Sequence, residues 1–189
     1  MDKMKKEIRI VGIDDASFDK FKDRETLVIG TFFRGGNFLD GILSTKIKVD
    51  GSDATAKIAK LINRSKFKPQ LQAIFLNGIA VGGFNVIDVK KLSKKTRLPV
   101  IVVIRKYPDF KKIFNALKNL KMHSKIRLIE QAGKPIKIGK VYVQLTNITE
   151  ERARRMLEIT CTHSYIPEPI RVAHLIGQGI SMGESKGNA

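Results

Sequence analysis

Three short segments of this 189-residue chain carry side chains whose types and positions could do chemistry. The first is Gly12–Ile13–Asp14–Asp15, where an apolar, β-branched run ends on two carboxylates. A carboxylate at a strand end, near carboxylates from other strands, can hold Mg²⁺ or Mn²⁺ for in-line displacement at a phosphodiester. The same two acids can instead open a turn, accepting backbone N–H groups. The second segment is Val49–Asp50–Gly51–Ser52–Asp53. Asp50 can project beside Asp14 if the strands pair in the ordinary register, whereas Asp53 has the position of a helix cap. The third is the loop from Asn77 to Asn85, with glycines at 78, 82 and 83. Glycines there let backbone approach a ligand beyond the carboxyl end of a parallel strand. The spacing is not that of a phosphate-binding P-loop and no lysine follows, so a demanding turn before a helix capped by Asn85 is an equal reading.

A fourth stretch, Tyr165 to Leu175, places Glu168, Arg171 and His174 three residues apart behind Pro167. Glu168 falls in a first helical turn, where the helix dipole favours an anion, and Arg171 can pair with it. That pattern predicts a docking helix fixed by proline and an ion pair. Cys161 and His163 lack further nearby ligands, so the cysteine is expected to be buried and inert. His123, among lysines, is expected at the surface.

The charge is concentrated in the middle of the chain. Lys and Arg number 36 against 18 acids, and residues 57–140 hold 21 of the cations with three acids, which accounts for the entire +18. A surface of this kind suits a phosphate backbone, and the excess of lysine over arginine suits phosphate contact more than base reading. Few aromatics interleave with these cations, so stacking on single-stranded bases is not signalled. The expected partner is nucleic acid, DNA or RNA undetermined. The phosphate contacts are assigned to Lys90, Lys91, Lys94, Lys95, Arg105, Lys106, Lys111 and Lys112. A solvated, solubility-promoting face is the plainer alternative. No apolar run approaches the roughly 18–20 residues needed to cross a bilayer. A single cysteine excludes a disulfide framework within the chain. With a charged amino terminus unlike a secretory signal, the expected location is cytoplasmic.

The elements that must position these residues follow from periodicity. Glu7–Asp14, Thr26–Arg34 and Ile42–Val49 are expected strands, forming an antiparallel meander around the Gly35–Gly36–Asn37 turn. Helices are expected from Ser52 or Asp53 to about Asn63, over Val86–Lys95, Phe110–Leu120 and Thr149–Ile159, and from Pro167 onward. Leu71–Leu76, Leu98–Ile104 and Val141–Leu145 are expected strands. Three meander strands followed by βαβ units predict an α/β, ribonuclease H-like three-layer sandwich with a mixed sheet. Residues 1–177 form one expected domain, with 178–189 a flexible tail.

Together these segments resemble the archaeal relatives of endonuclease V. The resemblance spans nearly the whole chain and rests on IRIVGIDDASF at 8–18, IKVDGSDAT at 47–55, FLNGIAVGGFNVIDV at 75–89, LPVIVV at 98–103 and SYIPEPIRVAHLI at 164–176. It implies cleavage of DNA or RNA near deaminated adenine, with Mg²⁺ or Mn²⁺ held by an acidic set. On this chain that set falls on Asp14, Asp50 and Asn77. At Asn77 an amide replaces the family's aspartate, keeping an oxygen ligand but losing its charge. Arg105 or Lys106 stands where the family carries a lysine after the following strand. The family's Pro-Tyr-Ile-Pro segment has no match before Asp50. Two other functions fit the same residues: a non-catalytic nucleic-acid-binding module, and an interaction domain for an acidic partner.

Overall fold

In the computed structural model, which describes residues 7–187, the β-branched run Arg9–Asp15 forms β1, Glu25–Arg34 β2 and Phe38–Lys48 β3. These three pair antiparallel in sequence, the expected meander. Helix α1 (Ala54–Arg64) follows, then β4 (Ala73–Asn77) and a small hairpin of β5 (Ala80–Val81) and β6 (Asn85–Val86). Next come α2 (Val89–Thr96), β7 (Val100–Ile104), α3 (Phe110–Asn119) and α4 (His123–Gln131). The chain ends with β8 (Ile136–Ile138), β9 (Val141–Thr146), α5 (Glu150–Thr160) and α6 (Glu168–Met182). The main sheet runs β3-β2-β1-β4-β7-β9-β8, with β1, β4 and β7 parallel and β9 antiparallel to β7.

Strand alternation divides the core into two layers. Val11, Ile13, Ile74, Leu76, Val100 and Val102 face Ile58, Ile62 and Leu92 of α1 and α2. Ile10, Phe75, Ile101 and Val103 face Met156 of α5 and Ile170 of α6. Each fully buried isoleucine contributes about 1.5–3 kcal/mol, so the two layers hold the sheet ends in register. Alternation also sends Asp14, two residues after Gly12, to the α6 face and Asp15, after Ile13, to the other.

The helix boundaries differ from expectation for identifiable reasons. Val86 is consumed by β6, and α2 starts at Val89, where the Asp88 side chain accepts the Lys91 N–H at 2.9 Å. Asn85 therefore does not cap α2; it accepts the N–H of Ala54 at 3.1 Å and so caps α1 from a distant loop. Asp53 precedes α1 but makes no cap bond, since its carboxylate takes Lys48 N–H and Asn85 Nδ2. Helix α4 and strands β5, β6 and β8 were not anticipated. Helix α6 runs on to Met182 and stops at Gly183 with φ 82, so the frayed segment expected from Gln178 does not begin there.

Candidate active site

Two parallel strands bring the first pair of polar groups together. Ile13 of β1 lies opposite Leu76 of β4, so Asp14 and Asn77 meet at the carboxyl edge of the sheet. Asn77 Nδ2 donates to Asp14 Oδ2 at 3.0 Å. The third member comes from α6: His174 Nδ1 is 2.8 Å from the same oxygen, and a carboxylate there fixes the proton on Nδ1. His174 reaches Asp14 because α6 lies directly against β1. At Gly12 a Cβ would collide with Pro169 backbone, and Thr31 Oγ1 donates to Pro169 O at 2.5 Å. Further along, Gly177 faces Ala16. The entry to the helix is held by the Glu168–Arg171 pair foreseen from the sequence, at 2.7 Å with Glu168 buried.

The electrostatics are those of a crowded acidic site. Asp14 is 3% exposed. Burial, then the neighbouring Asp14 charge, pushes Asp15 up to about 6, against a Gly82 N–H bond at 2.7 Å that favours the carboxylate. The hydrogen bond to Asp14 raises the pKa of His174 above the ordinary imidazole value, and Arg105, close enough to push the other way, opposes it. His174 Nε2 is buried without a hydrogen-bond partner among the described residues. Buried polar atoms of this kind are normally paired, by protein or by ordered water.

Asp15→Asn tests the carboxyl crowding. A carboxyl with a raised folded pKa contributes stability below its ordinary value of 3.8, and that contribution is lost as pH rises through about 6. The amide keeps the acceptor for Gly82 but carries no charge. In EDTA, thermal unfolding of Asp15→Asn is expected to show a gain over wild type at pH 8, no more than about 3 kcal/mol, that vanishes near pH 4.

Asp50 does not join Asp14 by a hydrogen bond. Its backbone is left-handed, with φ 52, and its Oδ1 accepts the Phe84 N–H at 2.7 Å. Its Oδ2 lies 4.0 Å from Lys20 Nζ, and the buried Lys125 donates to its carbonyl at 2.7 Å. Asp50 and Asp15 thus hold the same glycine loop, at Phe84 and Gly82. No group of three His, Cys, Asp or Glu side chains able to hold a metal forms among the described residues. The donors present are the Asp14 carboxylate, the Asn77 amide and the adjacent Asp15. Mg²⁺ commonly takes one or two carboxylates and fills its sphere with water and phosphate oxygens, so this sparse oxygen set with an orphaned imidazole nitrogen fits a Mg²⁺ or Mn²⁺ site completed by substrate.

The cations divide between two edges. Arg105 and Lys106 follow β7 at the edge occupied by Asn77, which pairs with Val103, and Lys111 and Lys112 lie in the first turn of α3 just beyond. Lys90 instead lines a shallow cavity with Thr146 and Asn147, and Thr146 pairs with Val100 at the start of β7. Helix α2 starts where Asp88 N–H meets Thr55 Oγ1 at the start of α1 and ends where Lys95 O accepts Asn63 Nδ2 at its end, so Lys94 and Lys95 lie toward the amino ends of the parallel strands. Arg105, which acts on the His174 titration, thus stands at the edge of the site, and Lys94 and Lys95 lie toward the opposite one. His123 is exposed, as expected. Cys161 is part-buried, and burial pushes its thiol up to about 12, which makes it unreactive.

The family model described as Endonuclease dU matches residues 6–181. A UPF0215 protein of Methanothermobacter thermautotrophicus is 45% identical over 98% of this chain and 94% of its own length. A solved structure of a protein from Archaeoglobus fulgidus has a TM-score of 0.87 at 38% identity, covering 93% of this chain and 99% of that one. Endonuclease V of Ciona intestinalis, solved with a 24mer DNA containing an inosine followed by a ribo-adenosine, has a TM-score of 0.58 at 16% identity, covering 88% and 82% of the two chains. The fold is ribonuclease H-like.

Proposed function

The chain belongs to the Endonuclease dU family, and on that footing we propose that it is a metal-dependent phosphodiester hydrolase acting on nucleic acid. The observation that carries this reading is Asp14 at the end of β1, bonded at one oxygen by both Asn77 and His174. A bound Mg²⁺ or Mn²⁺ would supply charge neutralisation at the phosphate and a more acidic water. Asp14 and Asn77 would hold it, with Asp15 adjacent and Asp50 keeping the glycine loop closed over that edge. His174, anchored through Nδ1, offers Nε2 to a phosphate oxygen or a bound water. Arg105, Lys106, Lys111 and Lys112 position the strand.

The test is incubation with single-stranded, duplex, inosine-containing and deoxyuridine-containing substrates, with Mg²⁺, Mn²⁺ or EDTA. The last substrate follows the name of the family, and inosine follows the DNA bound to the Ciona enzyme. Metal-dependent cleavage of at least one substrate is expected, and none by wild type would remove the reading. Binding that weakens with salt yet ignores EDTA, with no cleavage, would favour a non-catalytic module on the same fold.

The division of cations gives a separate expectation. Arg105→Ala weakens oligonucleotide binding several-fold and lowers the salt slope by about one, as for a lost phosphate contact. The double change Lys94→Ala/Lys95→Ala, at the other edge, leaves both near wild type. Fluorescence anisotropy at several salt concentrations reads both quantities.

A further inference from the structure

An aromatic ring stands free in water beside the site. Residues 16–24 leave β1 directly after Asp15 and return to β2, and Phe21 at the tip of this loop is 96% exposed. Single exposed apolar residues are common at protein surfaces and mean little alone. Here the tip is held in one shape. Asp19 Oδ1 accepts the Phe21 N–H at 2.9 Å, Asp23 Oδ2 accepts the Asp19 N–H at 2.7 Å, and the Asp23 N–H returns to Asp19 O at 2.8 Å. The base of the loop is closed by Ala16 N–H to Leu27 O at 2.8 Å and Thr26 Oγ1 to Ala16 O at 3.0 Å. Its flank is tied to the glycine loop, with Lys20 Nζ 5.2 Å above the Phe84 ring and 4.0 Å from Asp50. Lys22 Nζ stands 3.7 Å from Asp19 Oδ2, an exposed pair that a phosphate can displace, and Lys20 and Arg24 complete three cations against two acids in the loop.

A solvent-facing phenyl ring on a hydrogen-bonded turn, with cations beside it and at the sheet edge where β1 ends, matches the chemistry of an unpaired base with its phosphates. We propose that Phe21 is a base-stacking residue, its ring taking the face of an unpaired base while Lys22 and Arg24 contact the adjoining phosphates. The proposal rests on the nucleic-acid reading and adds the element that selects unstacked over paired strands. Charge patterning does not single it out, because Phe21 lies outside the basic block of 57–140.

The chain contains no tryptophan, so Phe21→Trp introduces a single indole at the tip of a surface loop. Its emission is followed while a mixed-sequence single-stranded 20mer DNA, the same length of abasic sugar-phosphate polymer, or a blunt duplex is added in EDTA. Anisotropy of the labelled strands gives affinity in parallel for wild type, Phe21→Trp and Phe21→Ala. Expected are strong quenching by the single strand, little by the duplex and none by the abasic polymer, with Phe21→Ala binding the single strand roughly tenfold more weakly. If the strand binds yet the indole emission is unchanged and Phe21→Ala binds like wild type, this inference fails while the nucleic-acid reading stands. If no strand binds wild type, both fail. An emission shift that grows with protein concentration alone would overturn the inference by showing that the ring meets a second copy.

Discussion

Asp14→Asn is expected to reduce metal-dependent cleavage on the order of a thousandfold while leaving the fold intact. The size follows from removing a charged ligand that contributes several kcal/mol of transition-state charge stabilisation. The amide is isosteric and can still meet Asn77 and His174, so the buried contacts at 3.0 and 2.8 Å are changed in charge rather than in shape. The charge also supports His174: without it, the raised pKa of the imidazole falls back toward its ordinary value. The reading therefore predicts a second signature in the histidine titration followed by NMR, lower in the variant than in wild type. Cleavage by Asp14→Asn at the wild-type rate would sink the assignment of this edge as the metal site. Asn77→Asp is the converse experiment, since a third carboxylate beside Asp14 and Asp15 should tighten Mn²⁺ binding measured by calorimetry.

How much of this was legible beforehand depended on which physical signal each residue carried. Apolar runs ending in Asp14 and in Asn77 predict strand ends, and two parallel strands in register place those ends side by side. Asp50 does not continue β3 as an extended residue: its backbone turns left-handed, with φ 52, a conformation nothing in Val49–Asp50–Gly51 announces for the aspartate rather than the glycine. That turn delivers its carboxylate to the Phe84 N–H. His174 was visible as a helical position three residues beyond Arg171, but helical spacing does not say which neighbour a face will meet. The signal that could have found it is small residues at both ends of the contact, Gly12 on β1 against the Pro169 backbone and Gly177 on α6 against Ala16, which permit close packing of helix on strand. Helix α4 was hidden because its buried face includes Lys125, a residue whose burial lowers its ammonium pKa and is offset by the bond to Asp50 O. The lysines of α2 stand out by charge alone, and charge density carries no information about which edge of a sheet each of them will occupy.

Gly12→Ala should be the most damaging single methyl in the protein, and it joins fold to site. The added Cβ would stand 2.6 Å from Ile170 N and in collision with the carbonyl group of Pro169. These are backbone atoms at the first turn of α6, clamped by the Thr31 hydroxyl and by the buried Glu168–Arg171 pair, so no side chain can rotate out of the way. Overpacking of this kind costs about 1–3 kcal/mol, and relief requires α6 to move off β1. For a chain of this length that corresponds to a fall in Tm of roughly 3–10 °C. Moving α6 also withdraws His174 from Asp14, so the imidazole pKa should fall together with stability. A surface methyl such as Gly179→Ala, on the same helix with open space around its Cβ, provides the control and should leave both unchanged or slightly raise Tm. If Gly12→Ala melted with wild type and kept the His174 titration, α6 would not be the element that carries the histidine to the carboxylate.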